Sequence, residues 1–403
     1  MQELLKNIVW LEDDNPVLFA WHQKGRAAFK EFPTKKTEAY KYTPVSEVLT
    51  PEMLNVKSHV KDDHCDHGAH HLPFDAYEFC FCDGHLHRHF HAGDDIEVLP
   101  IDEAVKTNEI GAYFAKIDLA QYPFAALNTA FLKEGLFIRI HKTPQKPIVF
   151  LYHNKNRGFK NIRNVIVADK GVKAEWIEMF EGKDEAYFLN IVNEIFVLNE
   201  AKLTHHKLQH EGEEAVHIAL SDAHVKEGGQ YQSYAFEKGG KLVRNETHVM
   251  LNQENASARV NAAYHLLRKC HIDTTTNIEH LSENTRSDQL VRGVIDDKGH
   301  GVFQGKIHIA PDAQKTEGYQ IHKALLLSDE AKVDVKPELE IFADDVKCSH
   351  GATSGDLNQD EIFYLESRGI DETSARQVLV NAFLQAAFDD VENPDIKKLY
   401  PSD

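Results

Sequence analysis

The 403-residue chain has little cysteine, a deficit of basic residues and no long apolar run. Five cysteines are too few for a disulfide framework, so we expect a reduced, cytosolic protein. Lys and Arg total 45 against 64 Asp and Glu, and the resulting formal net charge of −19 argues against binding to a nucleic-acid backbone. Because a membrane-spanning helix needs about 18 or more consecutive apolar residues, we expect no membrane span.

The sequence also lacks the motifs of several enzyme classes. It contains no phosphate-binding loop of the G-x-x-x-x-G-K-[ST] type, no G-x-S-x-G nucleophile motif and no signal-peptide pattern. Acidic residues and histidines are abundant, but they form no recognisable acid/base arrangement. We therefore expect a protein without catalytic activity of its own.

Three zones with different patterns follow one another along the chain. Residues 1–134 show mixed, partly helical patterns, and residues 346–403 become helical after a short motif. Residues 135–345 are a succession of short β-prone runs separated by Gly- and Asp-containing turns. A flat sheet of so many strands would expose long edges, so a stacked solenoid such as a β-helix is the favoured fold.

The C-terminal zone carries helix-boundary signals. Asn358 and Asp371 are candidate N-caps, and Gly369 suits a left-handed position after the first helix. An apolar stripe follows on the second helix at Ala375, Val378, Leu379, Ala382, Phe383, Ala386 and Ala387. The stripe either packs on the β core or in part docks a partner protein, and the pattern favours packing.

Cys348 and His350 are the most suggestive pair of side chains in the sequence. Residues two apart on a strand share a face, so the thiol and the imidazole can point the same way. Both groups are ligands for zinc or iron, yet a structural site needs four ligands, and this pair supplies two. The alternative is a buried cysteine with an ordinary packing role.

A histidine-rich segment is the second candidate metal site. His85, His87, His89 and His91 alternate, so on a strand their imidazoles would line one face. Such a row could bind zinc, nickel or copper. It could equally be a solvated loop, because histidine-rich tracts are compositional signals.

The stretch "PELEIFADDVKCSHGATSGDLNQDEIFYLESRGI", residues 337–370, closely resembles the SufB/SufD family of iron–sulfur cluster assembly proteins. The stretches "FPTKKTEAYKYTPV", "FAALNTAF" and "VFQGKIHIAPDAQKTEGYQ" fit the same family, so the resemblance spans almost the whole chain. The length of the chain and its few cysteines resemble those of the SufD branch of the family. Tyr40 stands where the family more usually has Trp, and the histidine-rich segment is not a family feature.

The resemblance implies a fold, a set of partners and a site. The fold would be mainly β, a right-handed parallel β-helix flanked by N- and C-terminal α-helical regions. The chain would pair with a SufB-like subunit through the β-helix and hold a SufC-like ABC ATPase through its C-terminal helices. Sulfur would reach the complex through a SufE- or SufU-type carrier. A homodimer of the isolated chain is an alternative that the sequence leaves open.

The site implied by the resemblance is the Cys348–His350 pair. These residues would help to hold iron or a nascent iron–sulfur cluster that is transient and shared with SufB, so none is expected in the isolated chain. For the ATPase surface we single out large apolar side chains of the C-terminal zone: Phe363, Tyr364, Leu379, Phe383 and Phe388. Cutting the chain after Thr353 is expected to spare the β-helix.

Two rival functions remain at this point. One is a β-helix enzyme acting on polysaccharide, which would need carboxylates or basic residues in an open cleft. The other is a stand-alone histidine-rich metal-binding protein. The length of the motif match favours the scaffold subunit over both.

Overall fold

A computed structural model of the chain describes residues 8–11, 15–55, 72–89, 95–106 and 110–401. The core is a parallel β-solenoid of about 8 turns, with a few helices towards either end of the chain. This architecture confirms the β-helix that the sequence predicts. No helix in the described ranges is long and apolar enough to cross a membrane.

In the described residues, two sheets form the walls of the solenoid, and after the first three strands successive strands alternate between them. The first sheet has ten strands in the order β2 (His85–His89), β1 (Tyr77–Cys82), β5 (Ile148–Asn154), β7 (Lys173–Gly182), β9 (Lys202–Glu211), β11 (Gln230–Gly239), β13 (Ser257–Leu266), β15 (Arg286–Ile295), β17 (Thr316–Leu326) and β19 (Val346–Gly355). The second has nine, in the order β3 (Ile96–Pro100), β4 (Leu136–Ile140), β6 (Gly158–Ala168), β8 (Tyr187–Val197), β10 (Val216–Val225), β12 (Leu242–Leu251), β14 (His271–His280), β16 (His300–Ile309) and β18 (Lys332–Ile341). The pairings are parallel except for β1 with β2 and β3 with β4.

The coils stack because one turn conformation recurs between the two sheets. Six of the connections from an even-numbered to the next odd-numbered strand, those after β6, β8, β10, β12, β14 and β16, contain a left-handed residue with φ between 57° and 72°: Gly171, Glu200, Gly228, Asn255, Asn284 and Lys315. Left-handed backbone is unstrained for glycine and tolerated by asparagine. The repetition keeps the strands in register, so that Leu242, His271 and His300 lie side by side.

Helices and antiparallel strands close the N-terminal end of the solenoid. They are α1 (Pro16–Ala28), α2 (Val45–Val48), α3 (Ile101–Ala104) and α4 (Pro123–Ala130), with 3₁₀ turns at Glu38–Tyr40, Glu52–Leu54 and Ile110–Ala112. Helix α1 begins at Pro16 because the Asn15 side chain accepts from the first free backbone N–H groups. Gly25 lets α1 cross α4 closely, since a Cβ there would lie 2.3 Å from the Ala130 nitrogen.

Residues 32–45, one of the stretches that carry the family resemblance, run along the outer face of the nine-stranded sheet. Thr43 donates to Asp273 on β14, and the Arg244 guanidinium of β12 lies 4.3 Å from the centre of the Tyr40 ring. Gln304 on β16 donates to the Ala39 carbonyl at 3.2 Å. The 32–45 segment therefore fastens successive coils to one another.

The C-terminal helices are α5 (Gln359–Ser367), α6 (Glu372–Gln385) and α7 (Pro394–Lys397). The boundary signals read from the sequence are confirmed. Asn358 accepts from the Asp360 N–H, Asp371 accepts from the Ser374 N–H, and Gly369 has φ +90°. Ile370 then donates to the Leu365 carbonyl, which closes the end of α5.

Helix α6 packs on the ten-stranded sheet with a face that overlaps only part of the predicted stripe. Ala375 of the stripe is buried, but Val378 is 38% exposed, and Val380 and Leu384, which the stripe does not include, are buried. The expectation that Phe388 leaves apolar surface for a partner is wrong, because Phe388 is fully buried. The Phe388 N–H donates to the Gln385 carbonyl after the helix has ended, so the Phe388 side chain does not follow the helical spacing.

The β core continues beyond residue 345, since the ten residues of β19 follow that position. The C-terminal helices share one apolar cluster with side chains of the sheet such as Tyr234, Ala263 and Val294. A cut after Thr353 would interrupt β19 and uncover this cluster, so the structure gives no support to the expectation that it spares the β-helix. Among the cysteines, Cys80, Cys270 and Cys348 are not disulfide-bonded, but Cys82 is, contrary to the expectation of full reduction.

Candidate functional site

Cys348 and His350 lie on β19, the terminal strand of the ten-stranded sheet. In the register of β17 and β19, Cys348 is opposite Gly318 and His350 is opposite Gln320. Gln320 is fully buried and faces the interior of the solenoid. Because register neighbours in a parallel sheet share a face, both predicted ligands lie on the inward face of the last coil.

The last coil leaves the interior of the solenoid open. Ile309 on β16 is fully buried, but its register neighbour on β18, Ile341, is 40% exposed. We call the inward-facing side chains of β18 and β19 the open end. Here His350 is exposed and Cys348 is half-buried, so interior positions that deeper coils would seal are accessible to a partner.

Cys348 packs among apolar side chains at this open end. Its neighbours in the cluster include Ile307, Leu339 and Val346. Burial raises the pKa of the Cys348 thiol, and a hydrogen bond with the backbone of Gly318 opposes part of that rise. Since a cysteine ligates metal as the thiolate, the thiol must lose its proton when it binds iron.

The pair does not make a complete metal site by itself. Within the described parts of the chain, no group of three or more His, Cys, Asp or Glu side chains could hold a metal ion. A thiolate and an imidazole can nevertheless occupy two positions of an iron coordination sphere. The geometry therefore fits a site whose remaining ligands come from elsewhere.

The histidine-rich segment is a strand in its described portion, β2, which contains His85, His87 and His89. The His85 Nδ1 lies 2.9 Å from a carboxylate oxygen of Glu134, so this imidazole is already held by a carboxylate. His91 lies outside the described residues. A metal-binding role for the four histidines stays a prediction.

The aromatic residues of α5 are well exposed. Phe363 is 71% and Tyr364 is 56% exposed, which leaves two adjacent large rings at the surface. Leu379 and Phe383 on α6 are half-buried, and the Phe383 ring lies 4.9 Å from the Arg292 guanidinium. The surface available to a partner is thus centred on α5 rather than on the stripe of α6.

A cluster of ionisable side chains inside the middle coils was not predicted. Its members are Glu178, His205, Lys207, Glu211, His217 and Glu237, all buried. His205 lies 2.9 Å from Glu178, and His217 lies 2.5 Å from Glu211. Burial raises the pKa of Glu237 to about 7. These carboxylates are sealed from solvent, so they do not form the open cleft that a polysaccharide-cleaving enzyme would need.

An open groove of about 570 Å³ lies elsewhere, at the turns that follow β7, β9, β11 and β13. It contains His210, His265 and Cys270 among its lining residues, and Glu213 forms an ion pair with Arg268 at its rim. Burial raises the pKa of the Cys270 thiol, so this cysteine is a weak nucleophile. The groove is remote in the register from Cys348 and His350.

Comparison with known proteins now bears on the pair at the open end. Residues 150–383, more than half of the chain, match the family described as SUF system FeS cluster assembly, SufBD core domain. The matched region includes Cys348 and His350.

The chain belongs to the SufB/SufD family.

Individual relatives support the same conclusion. The iron-sulfur cluster assembly protein SufD of Escherichia coli is 31% identical over 360 residues, which cover 87% of this chain and 83% of that protein. The chloroplastic protein ABCI7 of Arabidopsis thaliana is 32% identical over 60% of this chain and 52% of its own length. A SufBD family protein of Synechocystis is 34% identical over 52% of this chain and 46% of its own length. Within the family, the chain is SufD-like.

Proposed function

We propose that this chain is a scaffold subunit that builds and transfers nascent iron–sulfur clusters together with a SufB-like subunit and a SufC-like ATPase. The observation that carries the proposal is the position of Cys348 and His350 on the inward face of the open last coil. Two ligands at an accessible end suit a cluster that is assembled between two subunits and then released. Iron and sulfide are the cargo of the site rather than a resident cofactor.

The open end is where we place the SufB-like subunit. Exposed apolar side chains lie on and next to the last coil: Ile321, Ile341 and Phe342 are 42%, 40% and 61% exposed. Strands β18 and β19 are terminal in their sheets, so their outer backbone edges are available for strand pairing. A partner seated there would cover the apolar side chains and bring its own ligands towards Cys348 and His350.

The ATPase would bind a second exposed surface, on α5. Phe363 and Tyr364 are exposed, and Leu379 and Phe383 lie on the neighbouring helix α6. Phe388 is not part of this surface, because it is buried under Tyr400 with ring centres 4.0 Å apart. ATP hydrolysis belongs to the partner in this proposal, and sulfur arrives from a SufE- or SufU-type carrier. A cytoplasmic location remains a prediction.

The ligation step makes different demands on the two side chains. His350 is exposed, so a neutral imidazole nitrogen can reach iron without a large rearrangement. Cys348 is half-buried and protonated more firmly than a free thiol. Deprotonation and exposure of Cys348 therefore have to accompany iron binding, and partner docking or a movement of the last coil would supply that exposure.

The decisive test is anaerobic reconstitution with iron and sulfide, with and without the SufB-like partner. We expect His350→Ala to fold and to form the complex, since the side chain is exposed, but to yield less cluster. Ser349→Ala is the matched control, because Ser349 lies on the other face of the same strand, opposite Tyr319. An unchanged cluster yield in His350→Ala would remove this residue from the site, and loss of the complex would make it an interface residue.

A further inference from the structure

A buried amide lies directly beneath His350. The inward-facing column on successive strands of the ten-stranded sheet runs Gln289, Gln320 and His350, each opposite the next in the register. Gln320 is fully buried, yet its side-chain Nε2 and Oε1 both have no hydrogen-bond partner among the described residues. Buried polar atoms are normally paired, so an amide with two unpaired atoms calls for a functional explanation.

The neighbouring residues make room for this amide. A Cβ atom at position 305, on the facing strand β16, would lie 1.4 Å from the Gln320 Nε2, so Gly305 is required for the side chain to fit. His322, two positions along β17 and on the same face, is fully buried and directs its Nε2 to the Tyr264 hydroxyl at 3.0 Å. The polar side chains beneath His350 are thus held in place by the fold and do not belong to a frayed end of the solenoid.

Metal-bound histidines have a recurrent requirement that Gln320 can meet. The ring nitrogen that does not bind the metal usually donates its N–H to a carbonyl or carboxylate, which fixes the tautomer and the orientation of the imidazole. Gln320 is the register neighbour of His350 on the same face, and strands in a sheet are about 4.8 Å apart. Its amide oxygen is therefore within reach of an imidazole that turns towards the interior.

We infer that Gln320 is a positioning residue, whose amide oxygen accepts the second ring N–H of His350 when the imidazole binds iron. This inference rests on the proposed function of His350. It assigns to Gln320 a role that does not require contact with iron, sulfide or a partner subunit. It also explains why a buried amide is kept at a position where an aliphatic side chain would pack without unpaired polar atoms.

The test compares Gln320→Met with Gln289→Met in the purified complex with the SufB-like partner. Gln289 is the control, because it lies in the same column one coil deeper, accepts a hydrogen bond from the Thr276 hydroxyl at 2.6 Å and is not a register neighbour of His350. Ferrous iron affinity is measured anaerobically by chelator competition. We expect Gln320→Met to weaken iron binding by about 10- to 100-fold, as loss of an orienting partner typically does. Gln289→Met should bind iron like the wild type.

Two further measurements separate positioning from packing. Gln320→Met should not lower the melting temperature of the isolated chain, because the lost polar atoms had no partner there. Gln320→Glu keeps an acceptor oxygen at the same place and should restore iron affinity. The histidine nitrogen coupling in pulsed EPR of the reduced, reconstituted complex should be altered in Gln320→Met and retained in Gln320→Glu.

The outcomes distinguish this inference from the proposed function. If His350→Ala loses iron while Gln320→Met binds it normally, the role of Gln320 is wrong and the proposed function stands. If His350→Ala also binds iron normally, the proposed function fails first. Equal weakening by Gln320→Met and Gln289→Met would show that the amides act through packing, which overturns the inference.

Discussion

Lys336 on β18 donates to Glu38 with a distance of 2.8 Å between its Nζ and the carboxylate Oε1, although 298 positions of sequence separate the two residues. The pair ties the 32–45 segment to the last strand of the nine-stranded sheet. Thr43 and Tyr40 make the same connection deeper in the structure, at Asp273 and Arg244. An N-terminal stretch thereby supports the coil next to the candidate site.

The buried part of this connection should contribute strongly to stability. Asp273→Ala would leave the Arg244 guanidinium without its main buried partner, and breaking such a pair costs roughly 3–5 kcal/mol. We expect a loss of that size in urea unfolding, together with faster proteolysis within residues 32–45. Lys336→Ala is the control, since its exposed pair with Glu38 should leave the unfolding midpoint nearly unchanged. An Asp273→Ala protein with wild-type stability would contradict the role given to this contact.

His248 should make the protein less stable at alkaline pH. Burial alone would lower the pKa of His248, but hydrogen bonds with Asp222 and Glu279 raise it to about 9 from an ordinary value of 6.5. The stabilisation is therefore complete below pH 6.5 and disappears as the pH rises through 9, a change of about 3 kcal/mol. Urea unfolding at pH 6.5, 7.5 and 9 measures it. His248→Gln should flatten this slope, and an unchanged slope would refute the assignment.

His280 should have the opposite effect, on the acid side. Burial lowers the pKa of His280 to about 3, so the folded protein keeps this imidazole neutral while the unfolded chain takes up a proton below pH 6.5. Stability should therefore fall by about 2 kcal/mol for this residue between pH 7 and 5. His280→Gln should lessen the acid loss by that amount in urea unfolding. The same variant should leave the slope between pH 7 and 9 unchanged, which serves as an internal control.

The exposed rings of α5 should be needed for the ATPase but not for folding. Phe363→Ser with Tyr364→Ser removes two side chains that are mainly solvent-exposed, so thermal unfolding should stay close to wild type. When the SufB-like partner is absent from the preparation, the SufC-like ATPase should no longer co-purify with the double variant. Phe19→Ser is the matched control, because Phe19 is a 44% exposed phenylalanine on α1. Full retention of the ATPase by the double variant would place its docking surface elsewhere.

The β core and the helix boundaries could be predicted because their signals are local. Turn residues between short β-prone runs indicated the solenoid, and Asn358, Asp371 and Gly369 marked helix ends through their own side-chain or backbone properties. The face of α6 was predicted less well. The chain leaves helical geometry after Gln385, so the burial of Phe388 depends on a turn that helical spacing does not describe.

The interior of the solenoid shows why part of the site could not be read from the sequence. Lys207 and Glu237 are inward-facing and buried, but a lysine or a glutamate on a β-prone run is ordinarily assigned to the surface. For the same reason, the burial of Gln320 could not be predicted from the sequence. The i, i+2 spacing placed Cys348 and His350 on one face, but only the stacking order of the coils shows that this face lies at an open end.

The two ends of the solenoid, one closed and one open, are made by the ribosome at different times. The closed N-terminal end of the solenoid is made first. The last coil is complete only when Gly355 has been added, so its exposed apolar side chains appear late in synthesis. The last contact of the 32–45 segment has to wait longest, because Lys336 follows Glu38 by 298 positions. At about 5–20 residues per second, that wait lasts roughly 15–60 s. The contacts of Tyr40 and Thr43 with Arg244 and Asp273 can form earlier in that interval, so the contact with Lys336 is completed last, shortly before the last coil itself.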